Sequence, residues 1–206
     1  IRNPNQAKDC YAFKQSIADR FKGWKPDDPH DFLMESTGLC EKLNERTTFV
    51  VRQQLKCKEC GELTLKDDIK RCFTENIYKA TSVSELMAES VQRINHFVDD
   101  DVDKICVECK TSVKHDKSTE LISLPDVMII HLNRFQIIAN TEHRVNYDVT
   151  PSEKVVVQGK SYTLKSFITH TGNGLKAPGN HIIAYVKNKK RSKVDGFFQL
   201  FMFGSS

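Results

Sequence analysis

Two Cys-x-x-Cys pairs, Cys57-Lys58-Glu59-Cys60 and Cys106-Val107-Glu108-Cys109, constrain this chain more than any other feature. A short turn carrying two thiolates lets both sulfurs reach one ion at about 2.3 Å, and two such knuckles complete a tetrahedral zinc site. Gly61 follows the first knuckle, where a tight turn needs positive φ, and Lys110 follows the second. The gap between the pairs is about 45 residues, against the 15–20 of a compact zinc finger, so a helix-containing excursion must separate two ribbons. Two independent reducible dithiols, or ribbons without metal, are the competing readings. A thioredoxin-like dithiol needs a helix beginning just after its first cysteine, and neither pair has one in its sequence. Four thiolates leave no open position, so Cys57, Cys60, Cys106 and Cys109 predict a structural zinc ion.

The full set of seven cysteines adds Cys10, Cys40 and Cys72. An odd count fits poorly with a disulfide framework, and free thiols beside zinc ligands argue for a reducing, intracellular setting in cytoplasm or nucleus. At 206 residues the chain can bury one core, with or without a small appended lobe. Its 39% hydrophobic and 28% charged content is that of an ordinary globular protein. No apolar run approaches the roughly 20 residues that span a bilayer, so no membrane segment is expected. The first residue is Ile1 and the stretch after it is too polar for a signal peptide, so a fragment or an excised domain is expected. Net charge is +4, and the densest basic run, Lys187 to Arg191, is short. It reads as a solvated loop. No alternation of basic and aromatic residues suggests a nucleic-acid partner.

Ala12, Phe13, Ile17, Ala18 and Phe21 recur at helical spacing, predicting a helix over 8–22 that Gly23 can end. Pro29 begins a second predicted helix over 29–44. Beyond Thr47 the pattern alternates, giving strands over 47–57 and 62–73 around the first knuckle. Residues 83–96 return to helical periodicity, and the second knuckle sits in another ribbon. VMIIHLNRF is the most apolar stretch and predicts a central strand, followed by strands at SYTLKSFITHTG, HIIAYVKN and FFQLFMF. Helices gather early and strands dominate late. The fold class is α+β.

Four collinear segments resemble the catalytic domain of the ubiquitin-specific proteases, the papain-like ubiquitin carboxyl-terminal hydrolases. FKGWKPDDPHDFL is similar to the family's glutamine-rich box, retaining Asp28, His30, Phe32 and Leu33, with Pro29 and Asp31 in place of alanine and glutamate. The paired knuckles resemble its zinc-bearing fingers. LPDVMIIHLNRF resembles its Leu-Pro-x-x-Leu-Ile-Ile-His-Leu-Lys-Arg-Phe strand, and YTLKSFITHTGNGLKAPGNHIIAYV resembles its histidine box. The resemblance implies a papain-like thumb, palm and fingers: a helical thumb remnant over 1–46, fingers over 47–120 and palm strands over 121–206. It implies ubiquitin and ubiquitinated proteins as partners, and structural zinc as the one cofactor.

The chemistry so implied is attack of a cysteine thiolate on the carbonyl after ubiquitin's terminal glycine, with a histidine as base and an Asp or Asn orienting it. His181, after Gly179-Asn180, takes the base's position; the plainer reading of such a histidine is a satisfied polar core residue. His131 is expected to be a buried structural histidine and His30 a packing or hydrogen-bonding one. The family's Asn-x-Cys-Tyr nucleophile box has only Asp9-Cys10-Tyr11 as a counterpart. Cys10 lies too close to Asp28 for the helices that belong between them, and is expected to be a helix cysteine. Near the end, VDGFFQLFMF sets Phe201 or Met202 where the orienting acid would stand, or lacks that stretch. Three functions follow: a deubiquitinase domain, a catalytically dead ubiquitin-binding or scaffold module, and a zinc-ribbon adaptor. With nucleophile and acid both missing, the chain alone is expected to be inactive.

Overall fold

A computed structural model of the chain describes residues 29–95, 97–138, 141–171, 181–186 and 197–205. The predicted helix over 8–22 with Cys10, the turn over 172–180 and the basic run Lys187 to Arg191 lie outside the described residues.

In chain order the elements are α1 (Pro29–Leu39), α2 (Glu41–Thr47), β1 (Phe49–Cys57), β2 (Leu63–Lys70), β3 (Phe73–Asn76), β4 (Thr81–Ser82), α3 (Val83–Ile94), β5 (Phe97–Ile105) and β6 (Ser112–Leu121). Then come β7 (Val127–Asn133), β8 (Phe135–Ile138), β9 (Thr141–Arg144), β10 (Val149–Thr150), β11 (Lys154–Val157), β12 (Lys160–Thr171), β13 (His181–Val186) and β14 (Phe197–Ser205). The mixed architecture with helices early and strands late is the α+β class that the sequence predicts.

Two sheets dominate. One has four strands in the order β2-β1-β6-β5, all antiparallel. The other runs β11-β12-β14-β7-β3, with β13 also pairing β12. In that second sheet β11 covers the first part of β12 and β13 the last part, from Ser166↔Val186 to Thr171↔His181. The core belongs to this sheet. Met128, Ile129, Ile130 and Leu132 of β7 are fully buried, as expected of a strand flanked on both sides and covered on both faces. Phe201, Phe203 and Tyr162 join them from β14 and β12, and Tyr162 donates its hydroxyl to the Pro125 carbonyl at 2.7 Å.

Helix α3 shows why its residues are helical. Ser82 caps it, accepting from the Glu85 amide while the Glu85 carboxylate takes the Ser82 amide, a reciprocal capping box. Val83, Leu86, Met87 and Ser90 fall at i, i+3, i+4 and i+7 and are the buried residues, so one stripe faces the core. Each large apolar side chain so buried stabilises by roughly 1.5–3 kcal/mol. The buried Glu75 of β3 anchors the helix's far end, accepting from Ser90 and Arg93.

Two expectations need correction. The helix foreseen over 29–44 is two helices, because Cys40 adopts an extended backbone (φ −110, ψ 99). Upstream of that break, Gly38 has low helix propensity, and the Ser36 and Thr37 hydroxyls bond back to the Phe32 and Met34 carbonyls. The strand foreseen over 62–73 ends at Lys70, and Phe73 begins β3 in the other sheet, parallel to β7. Burial drives that crossing: Phe73 stacks on Phe49 at 4.1 Å in the core, while β2 has no buried residue.

Candidate metal centre and histidine strand

The knuckles sit at the ends of the β1–β2 and β5–β6 hairpins, and the central pairing of β1 with β6 sets Cys57 opposite His115. Each turn is built alike. The Gly61 amide donates to the Cys57 carbonyl at 3.0 Å, and the Lys110 amide donates to the Cys106 carbonyl at 2.9 Å. The first cysteine of each closes the hairpin, Cys57 N–H to the Glu62 carbonyl and Cys106 N–H to the Thr111 carbonyl. Gly61 has φ 77 and Lys110 has φ 59, so both knuckles demand the left-handed region after their second cysteine. The sequence flagged Gly61 for that role. It gave no sign of a lysine doing the same, although Lys110 holds the equivalent position in the second knuckle.

The four sulfurs of Cys57, Cys60, Cys106 and Cys109 all lie within 4.8 Å of one another. Cys57 Sγ is 3.9 Å from Cys109 Sγ, and Cys60 Sγ is 3.6 Å from Cys106 Sγ. A tetrahedral ion with metal–sulfur bonds of about 2.3 Å sets its sulfurs about 3.8 Å apart. The separations fit that geometry and are far from the ~2 Å of a disulfide. The donor set, four thiols and no carboxylate, suits zinc among the common metals. Backbone N–H groups of the turn, that of Cys60 foremost, pull the Cys57 thiol down to about 6, while its sulfur neighbours push Cys109 upward. Zinc is held by thiolates, so binding at this quartet would release protons and tighten as pH rises. Cys57 and Cys106 are buried, Cys109 half-buried and Cys60 exposed. Lys58 bridges to Asp116 of β6 at 3.0 Å, tying the first knuckle to the second hairpin.

Away from the knuckles, His131 of β7 and His30 of α1 stack at 4.2 Å with an interplanar angle of 19°. His131 Nδ1 is buried with no hydrogen-bond partner among the described residues. Burial first, then the neighbouring His30, hold the His131 imidazole down to about 4, so it is neutral. The nearby Cys72 thiol is pushed up to about 12 by burial, which makes it an inert thiol. His181 opens β13 with its backbone opposite Thr171 of β12. Phe201, one of the two residues that the resemblance would set at the orienting acid's position, is fully buried within the continuous strand β14 and packs against Phe167 and Phe203.

The sequence model of the family described as ubiquitin carboxyl-terminal hydrolase matches residues 3–201. The chain belongs to that family. Among its relatives are ubiquitin carboxyl-terminal hydrolase 25 of Arabidopsis thaliana and ubiquitin carboxyl-terminal hydrolase 29 of Mus musculus. The former is 23% identical over 216 residues, covering 90% of this chain and 31% of that protein. The latter is 24% identical over 151 residues, covering 59% of this chain and 17% of that protein. The chain thus spans less than a third of the length of these two relatives. Among solved structures, the SAGA Ubp8/Sgf11/Sus1/Sgf73 DUB module bound to ubiquitin aldehyde matches with a TM-score of 0.72 and 14% identity, covering 100% of this chain and 56% of that one. A variant of the same module bound to monoubiquitin matches at 0.68 and 16% identity, covering 95% and 51%. The fold of these deubiquitinase structures is therefore present here. No helix among the described residues is long and apolar enough to cross a membrane.

Proposed function

We propose that this chain is the ubiquitin-gripping part of a deubiquitinase domain, and that it binds ubiquitin without hydrolysing its conjugates on its own. The observation that carries this reading is the joining of two features in one family fold. A closed four-thiol centre fits structural zinc, and the histidine strand β13 lies beside β12. In this reading residues 1–46 are a thumb remnant, 47–120 the fingers and 121–206 the palm. The proposed partners are ubiquitin and ubiquitinated proteins in the cell interior. Zinc held by Cys57, Cys60, Cys106 and Cys109 would fix the relative position of the two finger hairpins, and would take no part in bond cleavage.

At the level of the family the proposed reaction is thiol-dependent hydrolysis. A cysteine thiolate adds to the carbonyl carbon after ubiquitin's last glycine. The amine leaves with a proton from the imidazolium, and water then cleaves the thioester. His181 is the proposed base. The non-catalytic reading of the isolated chain is supported by the buried, apolar Phe201, one of the residues that the family resemblance sets at the orienting acid's position.

The test is paired. The zinc-loaded chain is mixed with unmodified ubiquitin and, separately, with ubiquitin carrying a C-terminal electrophile. Binding without a covalent adduct supports the reading. An adduct on Cys10 overturns the non-catalytic claim, and absence of binding overturns the ubiquitin claim in favour of a zinc-ribbon adaptor. In the full-length protein His181→Ala should lower turnover about 10³-fold or more while ubiquitin still binds.

A further inference from the structure

Strand β2 is an edge of the four-stranded sheet, and the hydrogen-bond phase fixes which of its groups face outward. The Cys57 N–H donates to the Glu62 carbonyl at 2.9 Å, and the β1–β2 register runs without a bulge from Lys56↔Leu63 to Phe49↔Lys70. Hydrogen-bonded pairs alternate along an antiparallel ladder. The even-numbered residues of β2 therefore bond inward to β1. The amides and carbonyls of Leu63, Leu65, Asp67 and Ile69 point outward, to the side where no described strand pairs. Leu65 and Ile69 are 52% and 72% exposed, unusual for large apolar side chains flanking an open edge.

A second copy of this strand, turned by a two-fold axis through Asp67, complements the edge in both apolar contact and charge. Antiparallel pairing about that axis sets Leu65 against Ile69 on one face, twice. On the other face it sets Lys66 against Asp68, twice, at the pairs where side chains approach most closely. The outward groups of residues 65, 67 and 69 would close roughly six backbone hydrogen bonds. The two Asp67 carboxylates meet at the axis, each already gripped by its own Arg52 through two bonds of 2.7 and 2.9 Å. The adjacent registers are worse. An axis through Lys66 opposes Lys66 to its own copy and Leu65 to Asp67; an axis through Asp68 pairs Lys66 with Lys70 and Ile69 with Asp67, besides opposing two aspartates that have no arginine on them among the described residues. Charges on an edge ordinarily repel an approaching strand. Here Lys66 and Asp68 offset each other across the axis, and each Asp67 is offset by its own Arg52.

We propose that β2 is a homodimerisation edge, pairing with β2 of a second copy of this chain about a two-fold axis at Asp67 to make one continuous eight-stranded sheet. The inference concerns the chain's own edge and is independent of ubiquitin binding. It is tested by sedimentation of the zinc-loaded chain without ubiquitin, from about 1 µM to about 100 µM. A monomer–dimer equilibrium within that range is expected. Leu65→Pro removes an outward N–H while leaving the inward ladder to β1 intact, and should weaken the dimer at least about tenfold. Lys66→Asp should weaken it too, and adding Asp68→Lys to that variant should restore it. Hydrogen exchange along β1 checks that each variant keeps its fold. A chain that stays monomeric throughout overturns the proposal, as does a dimer indifferent to Leu65→Pro in a folded variant. Failure of the charge swap to restore association overturns the register through Asp67.

Discussion

The two sheets of this chain solve the same problem by different means. In the six-stranded sheet β7, β14 and β12 contribute side chains with no exposure at all, among them Ile130, Phe201, Phe203 and Tyr162. In the four-stranded sheet β2 has no buried residue, and β1 and β6 bury little beyond Phe49, Cys57, His115 and Leu121. Its cross-strand contacts are polar: Arg52 with Asp67, Gln53 with Asp68, Lys114 with Asp103. Exposed ion pairs of this kind contribute about 0–1 kcal/mol each. A two-sided, solvated sheet cannot be held by burial alone, and the four thiols at its tip are where a metal could supply what burial does not. One sheet is stabilised by what it excludes; in the proposed reading the other is ordered by what it would coordinate.

The largest expected effect breaks the two apart. Zinc removal, or Cys57→Ser with Cys106→Ser, should forfeit binding energy on the order of 10 kcal/mol that is coupled to the order of the hairpin ends. Hydrogen exchange should then show protection lost along β1, β2, β5 and β6 and retained in β7, β12 and β14. Equal loss in both sheets would mean that they fold as one unit. Next, Phe201→Ala should cost about 4 kcal/mol of global stability by opening a cavity in the other sheet, while the zinc content is unchanged. Chemical denaturation with a metal assay measures both.

A smaller effect follows from His131. Its folded imidazole titrates at about 4, depressed by burial and by His30 and opposed weakly by Asp31, whereas the unfolded chain takes up that proton near pH 6.5. The stability is present above pH 6.5 and is lost as pH falls from there through 4, by on the order of 3 kcal/mol. His131→Phe, which keeps an aromatic ring on His30, should flatten that part of the stability–pH curve. The smallest effect lies in the knuckle turns. Gly61→Ala meets no neighbouring atom but must hold φ 77, and should cost about 1 kcal/mol. Lys110→Gly should gain a few tenths of a kcal/mol or more, since φ 59 strains a side-chain-bearing residue.

The parts that were legible in the sequence are those where local chemistry and fold agree. The thiol quartet could be read because metal ligation imposes spacing, and α3 because its cap and apolar stripe coincide. β7 could be read because a doubly covered strand must be apolar throughout. The break at Cys40 and the crossing from β2 to β3 were not legible. The crossing is set by where Phe73 finds burial against Phe49, a matter of tertiary partners, and at Cys40 the local signals, Gly38 and the Ser36 and Thr37 hydroxyls, weaken the helix without marking the residue at which it breaks. The His30–His131 stack was half-legible: each histidine reads as a packing residue, but nothing in the spacing brings α1 onto β7. The edge complementarity of β2 needed the hydrogen-bond phase, which a sequence does not carry.

Ubiquitin gripping by zinc-ordered fingers is tested most directly by calorimetric titration of ubiquitin into the zinc-loaded chain and into the same chain stripped of zinc. The zinc-loaded chain should bind, and the stripped chain should bind at least about tenfold more weakly with its six-stranded sheet still folded. Equal affinity with and without zinc, or no binding by the folded, zinc-loaded chain, would contradict it.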